Sequence, residues 1–288
     1  MKMLNFCAIM LSTSILFLFR PCRADTNAIA STECPETDNS TSENSFQTKL
    51  NNLFDSLSAK GLLKHGFQKS TQGKGSNKIY GLAQCRGDIF GSDCANCTKE
   101  SITVARHDCS QSKKVKVWFK WCFLRYSDED FFGVWDQTSE AITNDTNFDD
   151  PSVVSRGFNL MTQLAITAPK QPLLFQTSVL DTGESGKRYG MAQCTKDIST
   201  SDCGKCLNNQ LMTFRTTVGN KRGWEIYGST CSMWYHDFQF YFNISYRTSE
   251  GEFCDAIALI FRLFQSLLTE VGIFRHGIAA TDVYYLVM

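Results

Sequence analysis

The chain has 288 residues, of which 42% are hydrophobic and 20% charged, a composition typical of a globular protein rather than of collagen, a long coiled coil or a disordered chain. Its 29 basic and 29 acidic side chains cancel, so no strong field is present to attract nucleic acid or anionic lipid. Thirteen cysteines exceed the content of a typical cytosolic enzyme and indicate a secreted, disulfide-bonded protein with a hydrophobic core. The length predicts about two domains.

The N-terminus has the pattern of a secretory signal. Lys2 precedes an uncharged apolar stretch over residues 4–19, and the small residue Ala24 follows. Because a membrane-spanning helix needs about 20 apolar residues, we predict a cleaved signal peptide over residues 1–24, with an N-terminal anchor as the alternative. Cleavage removes two of the thirteen cysteines and leaves eleven, an odd number, for the oxidising compartment.

An internal repeat organises the remaining chain. Residues 80–97 read YGLAQCRGDIFGSDCANC and residues 189–206 read YGMAQCTKDISTSDCGKC, identical at eleven of eighteen positions with an offset of 109. A period of that length is a whole domain, so a tandem duplication is predicted. The predicted boundaries are 27–137 for the first domain, 138–248 for the second domain with an Asp-rich linker over 138–152 at its start, and 249–288 for a C-terminal tail.

Apolar spacing predicts similar helices in the two copies. One face of the first helix, which ends near Gly61, is predicted to consist of Phe46, Leu50, Leu53, Phe54 and Leu57. The corresponding face in the second copy is predicted to contain Leu160, Leu164 and Ile166. Ser92 and Ser201 each precede an Asp and are predicted to cap the helices that carry the closely spaced cysteines.

Strands are predicted from alternation and from aromatic residues. The run from Val115 to Phe123 alternates and is predicted to be one strand, and the segments Phe131 to Trp135 and Phe238 to Ile244 are predicted to be further strands. Helices combined with antiparallel strands in each compact copy define an α+β fold class.

The cysteine motif and its flanks resemble a known family. Both copies contain C-x8-C-x2-C preceded by Tyr-Gly-x-Ala-Gln, with an Asp three residues after the first cysteine, and residues 124–133 read LRYSDEDFFG. These features resemble the plant cysteine-rich repeat secretory proteins, whose domain is also called the ginkbilobin-homologous or salt-stress-response/antifungal domain. The resemblance covers about residues 27–248 and implies two tandem domains, each with two helices packed on a five-stranded antiparallel sheet.

The resemblance also implies a disulfide pairing. It joins Cys34 to Cys109, Cys85 to Cys94 and Cys97 to Cys122 in the first copy, and Cys194 to Cys203 and Cys206 to Cys231 in the second. Val218 stands at the position of Cys109, and the position of Cys34 falls near Thr143, so the second copy lacks the third bond. Cys254 is left unpaired. A C-x2-C pair is also half of a zinc site or a redox pair, but neither alternative finds further ligands or free partners here.

Ligand contacts are expected from the same resemblance. Some members of the family bind mannose through an Asn after the first cysteine, an Arg six residues before the last and a Glu five residues after it. The first copy has Pro35, Lys116 and Ser127 at these places, and the second has Glu225 and His236 at the latter two. Because a lysine cannot reproduce the planar arginine fork, strong mannose binding is not expected, and Lys116 and Ser127 are the candidate ligand contacts.

The sequence contains no recognisable set of catalytic groups. Its four histidines show no spacing to a nucleophile or a metal, so we expect no enzyme, no cofactor and no bound metal. The five tryptophans are expected to pack in the core rather than to stack on sugars. N-glycosylation is predicted at sequons of Asn39, Asn144 and Asn243, whereas Asn96 lies between two motif cysteines, where early folding hinders modification.

Three functional hypotheses follow. The first is a secreted apoplastic recognition protein in defence or stress response, antifungal or glycan-binding. The second is an extracellular interaction module whose partner is a receptor-like kinase ectodomain or a plasmodesmal protein, and the third, an enzyme, has the least support. Because the charges of the chain balance, we expect no nucleic acid binding. We also expect no stable membrane anchor, because Arg262 interrupts the apolar run of the tail and favours an amphipathic helix.

Overall fold

The computed structural model describes residues 26–35, 44–59, 62, 65–110 and 112–242. The described core of the chain belongs to one compact unit, Asp25–Tyr241. The predicted signal peptide, the tail and Cys254 lie outside the described residues.

In its described residues, the first domain is a five-stranded antiparallel sheet with two long helices packed on it. Its strands are β1 (Ile29–Glu33), β2 (Phe67–Gln72), β3 (Ile79–Cys85), β4 (Val115–Phe119) and β5 (Cys122–Ser127), in the spatial order β1-β4-β5-β3-β2. Its helices are α1 (Asn44–Leu57) and α2 (Gly91–Asp108).

The second domain repeats this topology. Its strands are β6 (Ser139–Thr143), β7 (Phe175–Asp181), β8 (Lys187–Cys194), β9 (Trp224–Gly228) and β10 (Cys231–His236), in the spatial order β6-β9-β10-β8-β7. Its helices are α3 (Pro151–Thr167), α4 (Thr200–Thr213) and the short α5 (Arg215–Val218). The predicted α+β class with two five-stranded domains is therefore confirmed.

Helix α1 follows the sequence periodicity closely. All five residues of the predicted apolar face are buried, although the helix ends at Leu57 rather than near Gly61. In α3, Leu164 is buried and Leu160 packs at the core boundary, but the prediction for Ile166 is wrong, since its side chain is 43% exposed. Two positions beyond Leu164, a residue is rotated by about 200° around a helix and faces away from the core.

Both predicted helix caps are wrong. Helix α2 begins at Gly91, so Ser92 lies inside its first turn. Helix α4 is capped by Ser199, whose hydroxyl accepts a hydrogen bond from the Asp202 N–H, and Ser201 lies inside the helix. A capping side chain lies just before the helix and accepts from the N–H of its second or third residue; Ser199 has this position, whereas Ser92 and Ser201 lie inside their helices.

Three strand predictions also need correction. The run predicted as one strand is a hairpin, because the chain reverses between β4 and β5 and the Trp121 carbonyl accepts a hydrogen bond from the Arg86 N–H instead of continuing a ladder. The segment Phe131 to Trp135 is not a strand, because its backbone turns at Gly133 with φ 73°, although the Phe131 ring is buried. The predicted strand Phe238 to Ile244 is irregular over residues 238–242, where the Phe240 ring is buried, and residues 243–244 lie outside the described residues. In the sequence, a turn that buries aromatic side chains has the same aromatic-rich pattern as a strand.

The predicted linker over 138–152 is partly a strand. Strand β6 comes from this segment and pairs antiparallel with β9, Ala141 lying opposite Ile226. The segment also supplies the cap of α3, since the Asp150 carboxylate accepts a hydrogen bond from the Ser152 N–H. Its polar composition reflects an edge strand and a helix start, not a flexible connection.

The sheets of the two domains bury their second faces against each other. A continuous hydrophobic cluster, aromatic except for Met191, contains Trp118 from the first domain and Phe175, Met191, Tyr227, Trp234, Phe240 and Tyr241 from the second. Trp118 Nε1 also donates to the Gly228 carbonyl of the second domain at 3.1 Å. Three tryptophans, Trp118, Trp224 and Trp234, are buried, so the structure uses them for packing.

Two glutamines related by the repeat bridge the domains. Gln84 Nε2 donates to the Cys194 carbonyl, and Gln84 Oε1 accepts from the Lys196 N–H, each at 2.8 Å. Gln193, 109 residues later, makes the same two bonds to the first domain at 3.0 and 3.1 Å. The interface therefore has an internal pseudo-twofold relation.

Five disulfides connect the described cysteines. They are Cys34–Cys109, Cys85–Cys94, Cys97–Cys122, Cys194–Cys203 and Cys206–Cys231. These are the pairs that the resemblance implies. Val218 occupies the position of Cys109 in the second domain and is buried, so apolar packing replaces the third bond there.

Candidate functional site

A half-open pocket lies in the first domain where strands β1, β4 and β5 meet the segment that follows β5. Its volume is about 350 Å³. Its lining includes Pro35, Lys116, Arg125, Ser127, Phe131 and Asp136. We call it the charged pocket. The two candidate ligand contacts, Lys116 and Ser127, thus line the same cavity as Pro35.

The sheet register builds a row of charges across one wall of the charged pocket. Glu33 in β1 lies opposite Lys116 in β4, and Lys116 lies opposite Arg125 in β5. Lys116 Nζ is 3.1 Å from Glu33 Oε2 and 3.5 Å from Asp136 Oδ2. Neighbouring side chains on one face of a sheet are close enough to form such pairs. The lysine is therefore held between two carboxylates.

Arg125 is the least solvated cation of this row. Its Nη2 is 3.2 Å from Asp136 Oδ2, and its guanidinium lies over the Phe131 ring at 4.1 Å from the centroid. Burial lowers the pKa of Arg125, although the charges of Asp136, Asp197 and Glu33 oppose that change. Its Nη1 is buried and has no hydrogen-bond partner within the described residues.

Asp136 remains an anion in this site. Burial by itself raises the pKa of Asp136, but hydrogen bonds from Thr138 and the charges of Lys116 and Arg125 outweigh it and lower the pKa. On the other wall, the Ser127 hydroxyl accepts a hydrogen bond from the Glu129 N–H at 3.0 Å, which fixes the turn after β5. Ser127 therefore shapes the charged pocket as well as lining it.

Sequence reasoning identified Lys116 and Ser127 but missed Arg125, Asp136 and Glu33. Arg125 is separated from Lys116 by a tight hairpin turn, but the predicted strand ran without a turn from Val115 to Phe123 and left Arg125 beyond its end. Glu33 is 83 residues from Lys116 in the chain. Recognising the hairpin would have placed Arg125 beside Lys116, whereas the pairing of β1 with β4 has no signal in a single sequence.

The second domain has a different arrangement at the corresponding positions. Glu225 replaces Lys116 and accepts hydrogen bonds from the Tyr227 hydroxyl and, at 3.0 Å, from His236 Nε2. The Glu225 carboxylate also lies 3.4 Å from Lys120 Nζ of the first domain. Burial alone raises the pKa of Glu225, but these bonds and the Lys120 charge lower the pKa to about 2. Asn144, which replaces Pro35, accepts a hydrogen bond from the Gly223 N–H.

The predicted glycosylation site Asn144 and the disfavoured site Asn96 differ in their exposure and surroundings. Asn144 is partly exposed, and Asn96 is exposed on helix α2 beside the bonded Cys94 and Cys97. Asn39 and Asn243 lie outside the described residues. Occupancy at Asn144 remains a prediction.

The described residues contain neither a cluster of candidate metal ligands nor a candidate membrane-spanning helix. Within that part of the chain, no group of three or more His, Cys, Asp or Glu side chains is placed to hold a metal ion. None of the helices described is both long enough and apolar enough to cross a membrane.

The fold and the disulfides define a class. Two tandem α+β domains, each fastened by a C-x8-C-x2-C motif, define an extracellular cysteine-rich repeat protein. The family model described as salt stress response/antifungal matches residues 33–129 and 138–238. The chain belongs to this family.

Comparison with known proteins supports the same assignment. The chain is 32% identical over 214 residues to an antimicrobial ginkbilobin-2-like protein of Castanea crenata, covering 72% of this chain and 86% of the relative. It is 33% identical over 223 residues to cysteine-rich repeat secretory protein 38 of Arabidopsis thaliana, covering 76% and 88%. Since its relatives are secretory proteins and its described cysteines are disulfide-bonded, the chain is extracellular.

Solved structures show the same fold. The tandem DUF26 ectodomain of the Arabidopsis thaliana cysteine-rich receptor-like protein PDLP5 matches with a TM-score of 0.60 and 22% identity, covering 74% of this chain and 100% of that chain. The corresponding ectodomain of PDLP8 from the same plant matches with a TM-score of 0.63 and 22% identity, covering 74% and 98%.

Proposed function

We propose that the protein is a non-catalytic recognition protein of the plant apoplast, acting in defence or stress response, and that the charged pocket binds a hydroxyl-rich ligand such as a glycan. The observation that carries this proposal is the cavity of about 350 Å³ with donors and acceptors of both signs on its walls. Lys116 and Arg125 supply donors, and Glu33 and Asp136 supply acceptors. Hydroxyl groups both donate and accept, so a polyol can use both kinds of group.

The same walls disfavour mannose bound in the way known for the family's lectins. Pro35 has no side-chain amide, and Ser127 is not a carboxylate. Lys116 is held by Glu33 and Asp136 and cannot form a bidentate contact with a sugar. Each missing charge-assisted bond corresponds to roughly 1.5 to 3 kcal/mol, or about one to two decades of affinity.

A glycan array with secreted, correctly oxidised protein tests the proposal. We expect a positive glycan whose binding falls by about tenfold or more in Arg125→Ala, with partial recovery in Arg125→Lys. Lys99→Ala, which removes an exposed cation from helix α2 of the same domain, is the matched control and should leave binding unchanged. An array without any positive glycan, or equal binding by Arg125→Ala, overturns the proposal, and turnover of the bound glycan contradicts its non-catalytic part.

A second experiment tests the reasoning about mannose. The triple variant Pro35→Asn, Lys116→Arg and Ser127→Glu restores the family's contact set and is expected to bind mannose, whereas the unmodified protein is not. Isothermal calorimetry measures both. Tight mannose binding by the unmodified protein that Lys116→Ala abolishes would show that these positions were interpreted wrongly.

A second candidate function is an interaction module for a receptor ectodomain. Three exposed apolar side chains favour it: Ile29 on edge strand β1 is 49% exposed, Ile142 on edge strand β6 is 43% exposed, and Val134 beside the charged pocket is 58% exposed. Exposed apolar residues on sheet edges are suited to protein contacts. Co-purification of a receptor ectodomain that Val134→Asp abolishes and the control Met212→Asp does not would favour this candidate.

A further inference from the structure

The motif Asp that follows the first motif cysteine by three residues has no role in the function proposed above. It occurs in both copies, as Asp88 and Asp197. Neither residue lies on the predicted linker or on a disulfide. Both lie in the turn between a sheet strand and the helix that carries the motif cysteines.

Asp197 of the second domain contacts a turn of the first domain. Its Oδ2 accepts a hydrogen bond from the Gly133 N–H at 3.1 Å. Gly133 has φ 73°, a conformation that strongly favours glycine, and the Val134 N–H closes the turn on the Phe131 carbonyl at 3.2 Å. Phe131 and Val134 both line the charged pocket. One wall of a first-domain pocket is therefore fastened to the second domain.

The carboxylate of Asp197 also acts on Arg125. It is one of the three anions whose charge favours protonated Arg125, together with Asp136 and Glu33. Glu33 and Asp136 belong to the lining of the charged pocket, but Asp197 comes from the other domain. The second domain thus affects both the turn and the cation that lies over the Phe131 ring.

The reciprocal contact exists on the other side of the interface. Asp88 forms a buried ion pair with Arg86 at 2.7 Å, and Arg86 Nη2 donates to the Phe240 carbonyl of the second domain at 3.2 Å. Phe240 is 109 residues after Phe131, so each motif Asp serves the equivalent segment of the opposite domain. Thr195 replaces Arg86 in the second copy, so Asp197 reaches its turn without an intervening arginine.

We propose that Asp197 is a positioning residue for the charged pocket, so that the binding site of the first domain is complete only with the second domain packed against it. It bonds Gly133 directly, and the turn that it fastens carries Phe131, the ring over which the Arg125 guanidinium lies. Only the ligand measurement below rests on the proposed function, because the contact between Asp197 and the turn exists without a ligand.

Hydrogen-deuterium exchange on the full secreted chain tests the positioning role. In Asp197→Ala, which removes the acceptor and the charge, we expect the peptide covering residues 128–136 to exchange about two- to tenfold faster, the range for loss of one hydrogen bond. Asp197→Asn keeps an acceptor oxygen and should restore most of the protection. Asp202→Ala is the matched control, since the partners of Asp202, Ser199 and Lys205, lie in its own domain.

The outcomes separate this inference from the proposed function. Exchange in Asp197→Ala equal to that in Asp202→Ala overturns the positioning role, whatever the array shows. Faster exchange together with an array without positive glycans supports the positioning role and overturns the proposed function. With a positive glycan as the probe, Asp197→Ala should weaken binding by about two- to tenfold while Asp202→Ala leaves it unchanged, and equal affinities would contradict the inference.

Discussion

Loss of the Gln84 amide is expected to destabilise the whole two-domain unit. The Gln84 side chain is 4% exposed, and Gln84→Ala removes the partner of the Cys194 carbonyl at a buried position and that of the Lys196 N–H at a partly buried one. An unsatisfied buried group costs about 1 to 3 kcal/mol and a partly buried one less, so the free energy of unfolding should fall by about 2 to 5 kcal/mol. For a unit of this size, that corresponds to a melting temperature roughly 5 to 15 °C lower.

Urea titration and calorimetry of three matched variants measure the effect. Gln193→Ala removes the pseudo-equivalent bridge, but Gln193 is more exposed, so water replaces part of the lost bonding and the loss should be smaller. Gln163→Ala on the exposed face of helix α3 is the control and should change stability by less than about 0.5 kcal/mol. A Gln84→Ala protein as stable as the Gln163→Ala protein would refute the view that these amide bridges hold the domains together.

Three further predictions concern the disulfides, pH and glycosylation. The first domain has three disulfides and the second has two, so we expect the first to resist unfolding better; replacing Cys34 and Cys109 together by Ser should cost the first domain about 2 to 5 kcal/mol and remove that difference, as measured by the unfolding of each domain. Folding lowers the pKa of Glu225 from about 4.5 to about 2, so the ionised carboxylate adds about 3 kcal/mol to the free energy of unfolding above pH 4.5, and this contribution is lost as the pH falls towards 2. The stability of Glu225→Gln should therefore fall less steeply with decreasing pH between 4.5 and 2 than that of the unmodified protein, and equal slopes would contradict this prediction. Mass mapping should find a glycan at Asn144 and none at Asn96, and the reverse pattern would be contrary to expectation.

The parts of the fold that depend on local sequence were predictable. The face of α1 follows from the spacing of Phe46 to Leu57, and the duplication follows from the repeated motif. Prediction from the local sequence failed where two different backbone structures produce the same sequence pattern. The alternation from Val115 continues past the hairpin, because Cys122 begins a new strand with the same period, and Phe131 is buried in a turn rather than in a strand.

The charged pocket was predictable only in part, because its charges come from separate strands. Lys116 and Ser127 were identified by counting from the last cysteine of the first copy. The contribution of Glu33 depends on the pairing of β1 with β4, which closes a long loop, and the contact of Asp197 depends on how the domains pack. Neither tertiary relation leaves a periodic signal in the sequence.

The two copies differ at the ligand positions but agree at the interface. Gln84 and Gln193 make equivalent bonds, whereas Lys116 and Glu225 carry opposite charges. The Glu225 carboxylate is buried and already bonded, and it pairs with Lys120 across the interface. A group committed to holding the domains together cannot leave its partners for a ligand without exposing unpaired buried charge. The duplicated position in the second domain has therefore become structural, and we expect substitutions that change ligand specificity to act through the first domain.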